Sequence, residues 1–421
     1  MKKSVNGLKN KANGFLKTEG GLIATLTMIQ LTHLLDVVIM SPLSDYLIKD
    51  FNISTKQFGL LLSSYAISAS ISCLAGAIWA DYFERKKLMA FCYSGFLLST
   101  LACAISNSFS TLLIARTVAG IFGGVLSGLV FTVLGDVIPV ERRGKATGVL
   151  MSSFGISSVL GLPLGLLLAE QLGWNYSFYF VAILSVFVLV MIFVFMPTLN
   201  EHIATSNSKN TLNFLKQIPG NQEQSASLFF VSMLMFSGFL FIPFISPYLI
   251  NNIGYARKDL WMIYFFGGII SFIASRFIGR LIDIHGNRKM VLFGTLFSVF
   301  PILLVTNMPI VPMFVVLSIS TLFFLGNSGR MVPAVNLLNG VVKSTDRGKF
   351  MSINSFFQNI SLGLASFLGG VIIQFNPVAK KIENFNYAGI VSVMVTLLSL
   401  VILFQATKEK IKINGNSNGN T

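Results

Sequence analysis

The chain has 421 residues, 53% of them hydrophobic and only 11% charged, with a formal net charge of +15 and a mean hydropathy of +0.74. An ordinary soluble domain carries about 25% charged residues, so this composition excludes a soluble globular fold. It fits a chain that repeatedly crosses a bilayer, where a helix of about 20 apolar residues satisfies every backbone group internally. The positive charge lies in short clusters between apolar runs, a placement that argues for membrane topology and against a nucleic-acid partner.

Taken in order, the basic, polar stretch Met1–Glu19 precedes an apolar run too long for a signal-peptide core, so the first span is expected to stay in the mature protein. Spans are predicted near 21–47, 57–80, 88–106, 109–135, 146–170 and 176–196. The polar stretch Thr198–Ser225 has no spanning pattern, and six more spans follow near 227–250, 259–282, 289–306, 310–342, 350–374 and 388–406. The expected fold is all-α and integral to the membrane, with twelve transmembrane helices in two pseudo-symmetric six-helix bundles. Residues 1–20 form an N-terminal cytoplasmic segment, 21–197 the first bundle, 198–226 a cytoplasmic central loop, 227–406 the second bundle and 407–421 a cytoplasmic tail.

Lys and Arg set the orientation. With both termini cytoplasmic, 21 of them lie on the inner side and six on the outer side (Lys49, Lys56, Arg257, Lys258, Lys380 and Lys381), leaving Arg116, Arg276, Arg280 and Arg330 within or at the ends of spans. A bacterial inner membrane is the expected location, since the Lys, Asn and Ile content suits an AT-rich genome. Cys73, Cys92 and Cys103 all fall inside apolar runs without metal-ligand spacing and are expected to be small buried apolar groups.

The halves resemble each other, as expected of a transporter built from repeats. An offset of 202 residues takes Ser44-Asp45-Tyr46-Leu47-Ile48 onto Ser246-Pro247-Tyr248-Leu249-Ile250 and Asp81 onto Asp283, and an offset of 204 takes Arg143-Gly144-Lys145 onto Arg347-Gly348-Lys349.

The run Gly279, Asp283, Gly286, Arg288, Lys289 resembles the loop signature of the major facilitator superfamily, Gly-x-x-x-Asp-x-x-Gly-x-Arg-Lys. Its first-half counterpart has Ala77, Asp81, Glu84, Lys86 and Lys87, so both glycines are replaced and a carboxylate is added. Arg116 followed by Gly120, Gly123 and Gly124 looks like the family's helix-four arginine pattern. Gly155 with Gly161-Leu162-Pro163-Leu164-Gly165 is similar to the Gly/Pro motif of proton-coupled antiporters, and Gly173-Trp174 and Asp136 to Gly144 are similar to the drug and sugar efflux branch. The resemblance covers nearly the whole chain and implies a secondary transporter that can act as a monomer.

Ionisable groups inside a bilayer cost about 2.5–3.5 kcal/mol each on insertion scales and mark pathways or partners. Asp36 and His33, three apart on one helical face, are candidates for holding a proton; Arg116 is the candidate partner of Asp36 in an ion pair joining helices one and four, which is also the alternative, purely structural role for Asp36. Arg330, set among Gly326, Ser328, Gly329 and Pro333, is a candidate seat for an anionic substrate group, or else pairs with a neighbouring helix. Asp81, Arg85, Asp136, Arg142, Asp283 and Arg288 stand at predicted cytoplasmic helix ends; the resemblance implies that they form a cytoplasmic gate. Gly155, Gly161, Pro163 and Gly165 suit a hinge, a seal or close packing.

No nucleophile elbow, phosphate-binding loop or metal-spaced His cluster is present, and no cofactor, metal or enzymatic activity is expected. The function read from the sequence is proton-coupled efflux of a small drug, sugar or metabolite by alternating access. An uptake carrier or uniporter, and a membrane sensor without flux, are the alternatives.

Overall fold

The structure is a computed structural model that describes the backbone of residues 2–199, 217–342 and 347–417, and within those ranges the side chains of all but 2–18, 77, 78, 81, 140, 141, 347–349 and 407–417. Among the described residues, twelve helical spans are long and apolar enough to cross a bilayer. Spans one to six are Glu19–Ile39, Thr55–Gly76, Arg85–Ala104, Phe109–Val137, Arg142–Leu172 and Asn175–Phe195. Spans seven to twelve are Gln222–Ile253, Arg257–His285, Asn287–Thr306, Met313–Gly340, Phe350–Ile372 and Phe385–Ala406. With an even number of described spans, the start of span one and the end of span twelve lie on one face, here called the terminal face.

Local chemistry starts these helices. Ser54 with Gln57, and Ser108 with Thr111, form reciprocal capping boxes that satisfy the first free N–H groups of spans two and four. At the far end of span four, Arg143 donates to the carbonyls of Ile138 and Gly135 (2.7 and 2.5 Å) and caps the orphan acceptors there. The signature loop differs between the halves for a backbone reason. Gly286 turns at φ 83°, a left-handed conformation that favours glycine, whereas Glu84 has φ −59° and follows a short 3₁₀ turn over Ala80–Tyr82. The first half therefore needs no glycine there, and Glu84 pairs with Lys87 at 3.1 Å.

Three spans depart from the expected continuous helices. Span one stops at Ile39, turns over 40–43 and resumes as the helix Ser44–Asp50. Span five contains a π turn over Ser157–Gly161 immediately before Pro163, which has no N–H for the ladder. Span seven breaks after Phe239 around Pro243 and ends in a second π turn over Leu249–Ile253. The sequence also gave no sign of a small antiparallel hairpin between spans eleven and twelve, in which Gln374–Asn376 pairs with Lys381–Glu383.

The spans sort into those facing lipid and those facing protein. Span six has a mean hydropathy of 3.0 and only 33% of it is buried, as a helix lying against lipid should be. Ile183, Phe187, Val190 and Phe193 point outward from it. Spans one and seven, each 67% buried, occupy the interior. Where the halves meet, spans two and eleven run against each other from Thr55, whose hydroxyl donates to Gly370 O (3.2 Å), to Ser70, whose hydroxyl donates to Phe356 O (3.0 Å). Spans five and eight make the second seam, where Gly268 packs on the backbone of Ser158 and Gly155 on the Phe272 ring.

One apolar cluster on the face opposite the termini joins both halves, combining Leu35, Ile39, Leu43 and Trp174 with Phe241, Phe244, Leu249 and Phe385. Toward the terminal face each half keeps a core of its own, around Leu126, Val130 and Ile192 in the first and Val291, Leu338 and Phe350 in the second.

Small residues set the spacing within each half. At Gly294 an added Cβ would lie 2.6 Å from the Gly329 carbonyl carbon, so spans nine and ten meet backbone to backbone. Gly294→Val should lower the stability of the purified protein by ~1–3 kcal/mol, read as a fall in its thermal-unfolding midpoint, whereas Gly279→Ala, which meets open space, should leave it unchanged.

Candidate ion-pair and gating site

Asp36 lies in the last turn before span one breaks, and its carboxylate is fully buried. Arg116 Nη1 donates to its Oδ2 at 2.7 Å and lies 3.4 Å from its backbone carbonyl, while the Thr100 hydroxyl donates to Oδ1 at 3.4 Å. The guanidinium also stands 4.3 Å from the centre of the Tyr65 ring. The glycines of span four explain how Tyr65 gets there. A Cβ on Gly120 or Gly124 would strike the Tyr65 or Ala69 carbonyl of span two, so only glycine lets the two helices approach closely enough. Charge, aromatic face and glycine stripe are thus one construction.

His33 lies one turn before Asp36, but the two side chains are not bonded to each other. Both His33 nitrogens and the Tyr65 hydroxyl are buried without a hydrogen-bond partner among the described residues. They converge on Gly123, where a Cβ would sit 2.5 Å from Tyr65 Oη and 3.1 Å from His33 Nε2. Buried polar atoms without partners cost free energy, and three of them lie close to a buried ion pair.

Arg330 is likewise buried, 1% exposed, but its partners are neutral. Nε donates to Asn327 Oδ1 (3.2 Å), and Nη1 to the hydroxyls of Ser237 (2.9 Å) and Thr396 (3.4 Å). The Thr396 hydroxyl in turn donates to Ser237 Oγ at 2.8 Å.

A second ionic cluster closes the face opposite the termini. Asp45, 2% exposed, accepts from Lys49 (3.1 Å) in its own helix and, across the halves, from Asn251 Nδ2 (3.0 Å) and Arg257. Arg257 stacks 4.5 Å over the Tyr46 ring, and the Tyr46 hydroxyl donates to Glu170 at 2.5 Å, tying in span five. Asn252 exchanges two hydrogen bonds with Ile382 of the hairpin (2.7 and 2.8 Å), so the hairpin braces the same face.

On the terminal face the predicted gate residues are only partly brought together. Arg85 donates to Asp136 at 3.1 Å and Arg142 pairs with Glu19 at 2.9 Å, both within the first half. Asp283 and Arg288 are exposed, with Arg288 5.5 Å from the Phe404 ring, and the side chain of Asp81 lies outside the described residues. The Gly/Pro motif packs closely. A Cβ on Gly161 would sit 2.8 Å from Leu35 Cδ1, and Gly165 meets Ile39 and accepts a hydrogen bond from the Ser177 hydroxyl (2.7 Å), so the π turn and Pro163 lie directly against span one.

Sequence reasoning missed Tyr65, Thr100, Ser237, Thr396 and the Asp45–Arg257 cluster. Asp45 had one signal, its place in the repeated Ser-x-Tyr-Leu-Ile motif; Arg257 had the signal of a basic residue on the sparsely basic side. Among the described residues no group of His, Cys, Asp or Glu is arranged to hold a metal, and the three cysteines are buried and free. Removing one partner of a buried ion pair leaves an uncompensated charge. Asp36→Asn should therefore cost ~3–5 kcal/mol of stability, with most of it recovered in the double variant Asp36→Leu/Arg116→Met, as measured by thermal unfolding of the two proteins beside the wild type.

The family model for the Major Facilitator Superfamily matches residues 26–275 and 227–419. The chain is 24% identical over 378 residues to the protein named "Probable sugar efflux transporter" of Pasteurella multocida, covering 88% of this chain and 87% of that one. It is 27% identical over 242 residues to "Multidrug resistance protein 3" of Bacillus subtilis, and there spans 52% of this chain and about half, 47%, of that protein. Among solved structures, a D-xylose-proton symporter superposes with a TM-score of 0.73 at 16% identity, covering 92% of this chain and 97% of that one. A bacterial homologue of the lysosomal transporter Spinster, in an inward-facing and unoccupied conformation, superposes at 0.72 and 14%, covering 94% and 98%. With twelve spans in two related halves and a family match along nearly its whole length, the chain belongs to the major facilitator superfamily and is a multi-pass membrane transporter, not an enzyme.

Proposed function

We propose that the protein is a proton-coupled secondary transporter that exports a small organic solute, a drug, sugar or metabolite, working as a monomer in a bacterial inner membrane with both termini cytoplasmic. The observation that carries this reading is the buried Asp36–Arg116 pair, with unpartnered His33 one turn away. A proton placed on Asp36 removes the negative charge that Arg116 needs and leaves a cation in a low-dielectric interior. The protonated and unprotonated states then favour different arrangements of spans one, two and four, which is what coupling requires. His33 and the Tyr65 hydroxyl, buried near that pair without hydrogen-bond partners among the described residues, supply the path by which a proton reaches it.

The Lys/Arg asymmetry of 21 to six supports the reading that the terminal face is cytoplasmic. On that assignment the Asp45–Arg257 cluster and the shared apolar cluster seal the outer face, and the solute enters from the inside. The cycle then exchanges this outer seal for an inner one built from Arg85, Asp136, Arg142, Asp283 and Arg288, with the π turn at Ser157–Gly161 and the break in span seven as the flexible points. Relatives named for multidrug resistance and sugar efflux support export of an organic compound.

In proteoliposomes with an imposed pH gradient, the wild type should drive flux of a member of a drug, sugar and metabolite panel, and Asp36→Asn should abolish the gradient-driven component. Flux that ignores both the gradient and the substitution would identify a uniporter in which Asp36 only pairs helices. Binding without flux would identify a sensor.

A further inference from the structure

The two halves treat their buried arginines differently. Arg116 has a carboxylate; Arg330 has none. Between residues 224 and 406 the chain holds only four carboxylates, Asp259, Asp283, Asp346 and Glu383, all at the ends of spans or between them. Among the described residues no acidic side chain of the second half meets Arg330, and Asp36 is already engaged by Arg116. The charge is buried against three neutral groups, Asn327, Ser237 and Thr396. Such a cation is expensive to keep inside a membrane protein without a counter-ion.

The position opposite this charge is held by a glycine. The 202-residue offset that relates the halves carries Asp36 onto Gly238. An added Cβ on Gly238 would sit 3.2 Å from Ile242 Cδ1 and 3.2 Å from Arg330 Nη2, the guanidinium nitrogen that makes no hydrogen bond to a described residue. Where the first half has a built-in carboxylate, the second half has a glycine beside a guanidinium nitrogen that has no acceptor among the described residues. The N–H groups of that nitrogen can make a charge-assisted hydrogen bond to a carboxylate oxygen.

Span ten also borders something more polar than lipid. It is as little buried as span six, 28% against 33%, but its mean hydropathy is 1.3 against 3.0. Asn327, which accepts from Arg330, is half-buried beside half-buried Ser328, and Asn336 is exposed two turns further along. These polar side chains lie on the helix that carries the guanidinium.

We propose that Arg330, at its face toward Gly238, binds the carboxylate of an organic monoanion, which is the solute class the transporter prefers; this rests on the transport reading above. The bound anion completes in the second half the charge pair that Asp36 completes in the first. Because the counter-ion arrives with the solute, the loaded and empty states differ in buried charge.

The test uses the full-length protein in detergent at constant ionic strength, with benzoate, octanoate and gluconate each compared with its neutral counterpart, benzamide, octanamide and glucose. At least one carboxylate should raise the wild-type unfolding midpoint, by on the order of a few degrees at saturation, while its neutral partner does not. Arg330→Gln should lose that response. Gly238→Asp, which supplies the carboxylate internally, should raise the ligand-free midpoint and also lose the response. Reconstituted flux of the same six compounds separates this proposal from the transport reading. Flux of neutral compounds alone, with no carboxylate-specific shift, overturns the anion site and leaves transport standing. A carboxylate shift lost in both variants, without flux of any compound, upholds the site and overturns transport. Equal shifts in wild type and Arg330→Gln, or no shift from any carboxylate, overturn the site.

Discussion

A charge buried in the low-dielectric interior must be met by an opposite charge or by a dense set of hydrogen bonds, and this constraint organises the protein. The bilayer leaves few ionisable groups inside, and each one bends local structure around itself. The Asp36–Arg116 pair requires Tyr65 over the guanidinium and Thr100 on the carboxylate. Placing Tyr65 requires spans two and four to approach backbone to backbone, which glycine at positions 120 and 124 allows. The helix-four glycine pattern is thus a consequence of the arginine it follows.

The same constraint explains why ionic contacts gather at one end of the interface between halves. Near the surface an ion pair loses less hydration, and Asp45 can collect Lys49, Asn251 and Arg257 at once. The apolar cluster beneath it, from Leu35 to Phe385, excludes water and is shared by both halves. A seal made from a few polar contacts over an apolar plug can be exchanged for a similar seal at the other end without rebuilding either half. Alternating access needs this exchange.

Much of the architecture was legible because it is dictated by one-dimensional chemistry. Twelve apolar runs, the repeated Ser-x-Tyr-Leu-Ile motif and the second copy of the loop signature all survive in the folded protein, and Gly286 has the backbone conformation that makes its glycine necessary. Asp36, Arg116 and Arg330 could be singled out because charge inside an apolar run is rare, and the first two do meet. What the sequence hid depends on contacts between distant segments. Ser237 and Thr396 are 93 and 66 residues from Arg330, and Asp45 is 212 residues from Arg257. Nothing local distinguishes those hydroxyls from the many serines and threonines that merely bond back to their own helix, as Thr25 and Ser232 do. The breaks in spans one and seven were hidden for a related reason, since tertiary packing in the apolar cluster shared by the halves stabilises turns that hydropathy reads as continuous helix.

In the proposed cycle the halves exchange an outer seal for an inner one in response to the charge state of Asp36. Distances between spin labels test it directly, with one pair at the exposed Lys49 and Lys258 beside the outer seal and a second at the exposed Lys87 and Lys289 on the terminal face, in a background where Cys73, Cys92 and Cys103 are replaced by serine or alanine. Protonation at low pH, or Asp36→Asn at neutral pH, should lengthen the first distance and shorten the second. Both distances remaining fixed, or both moving in the same direction, under conditions where the reconstituted protein carries solute would contradict the account.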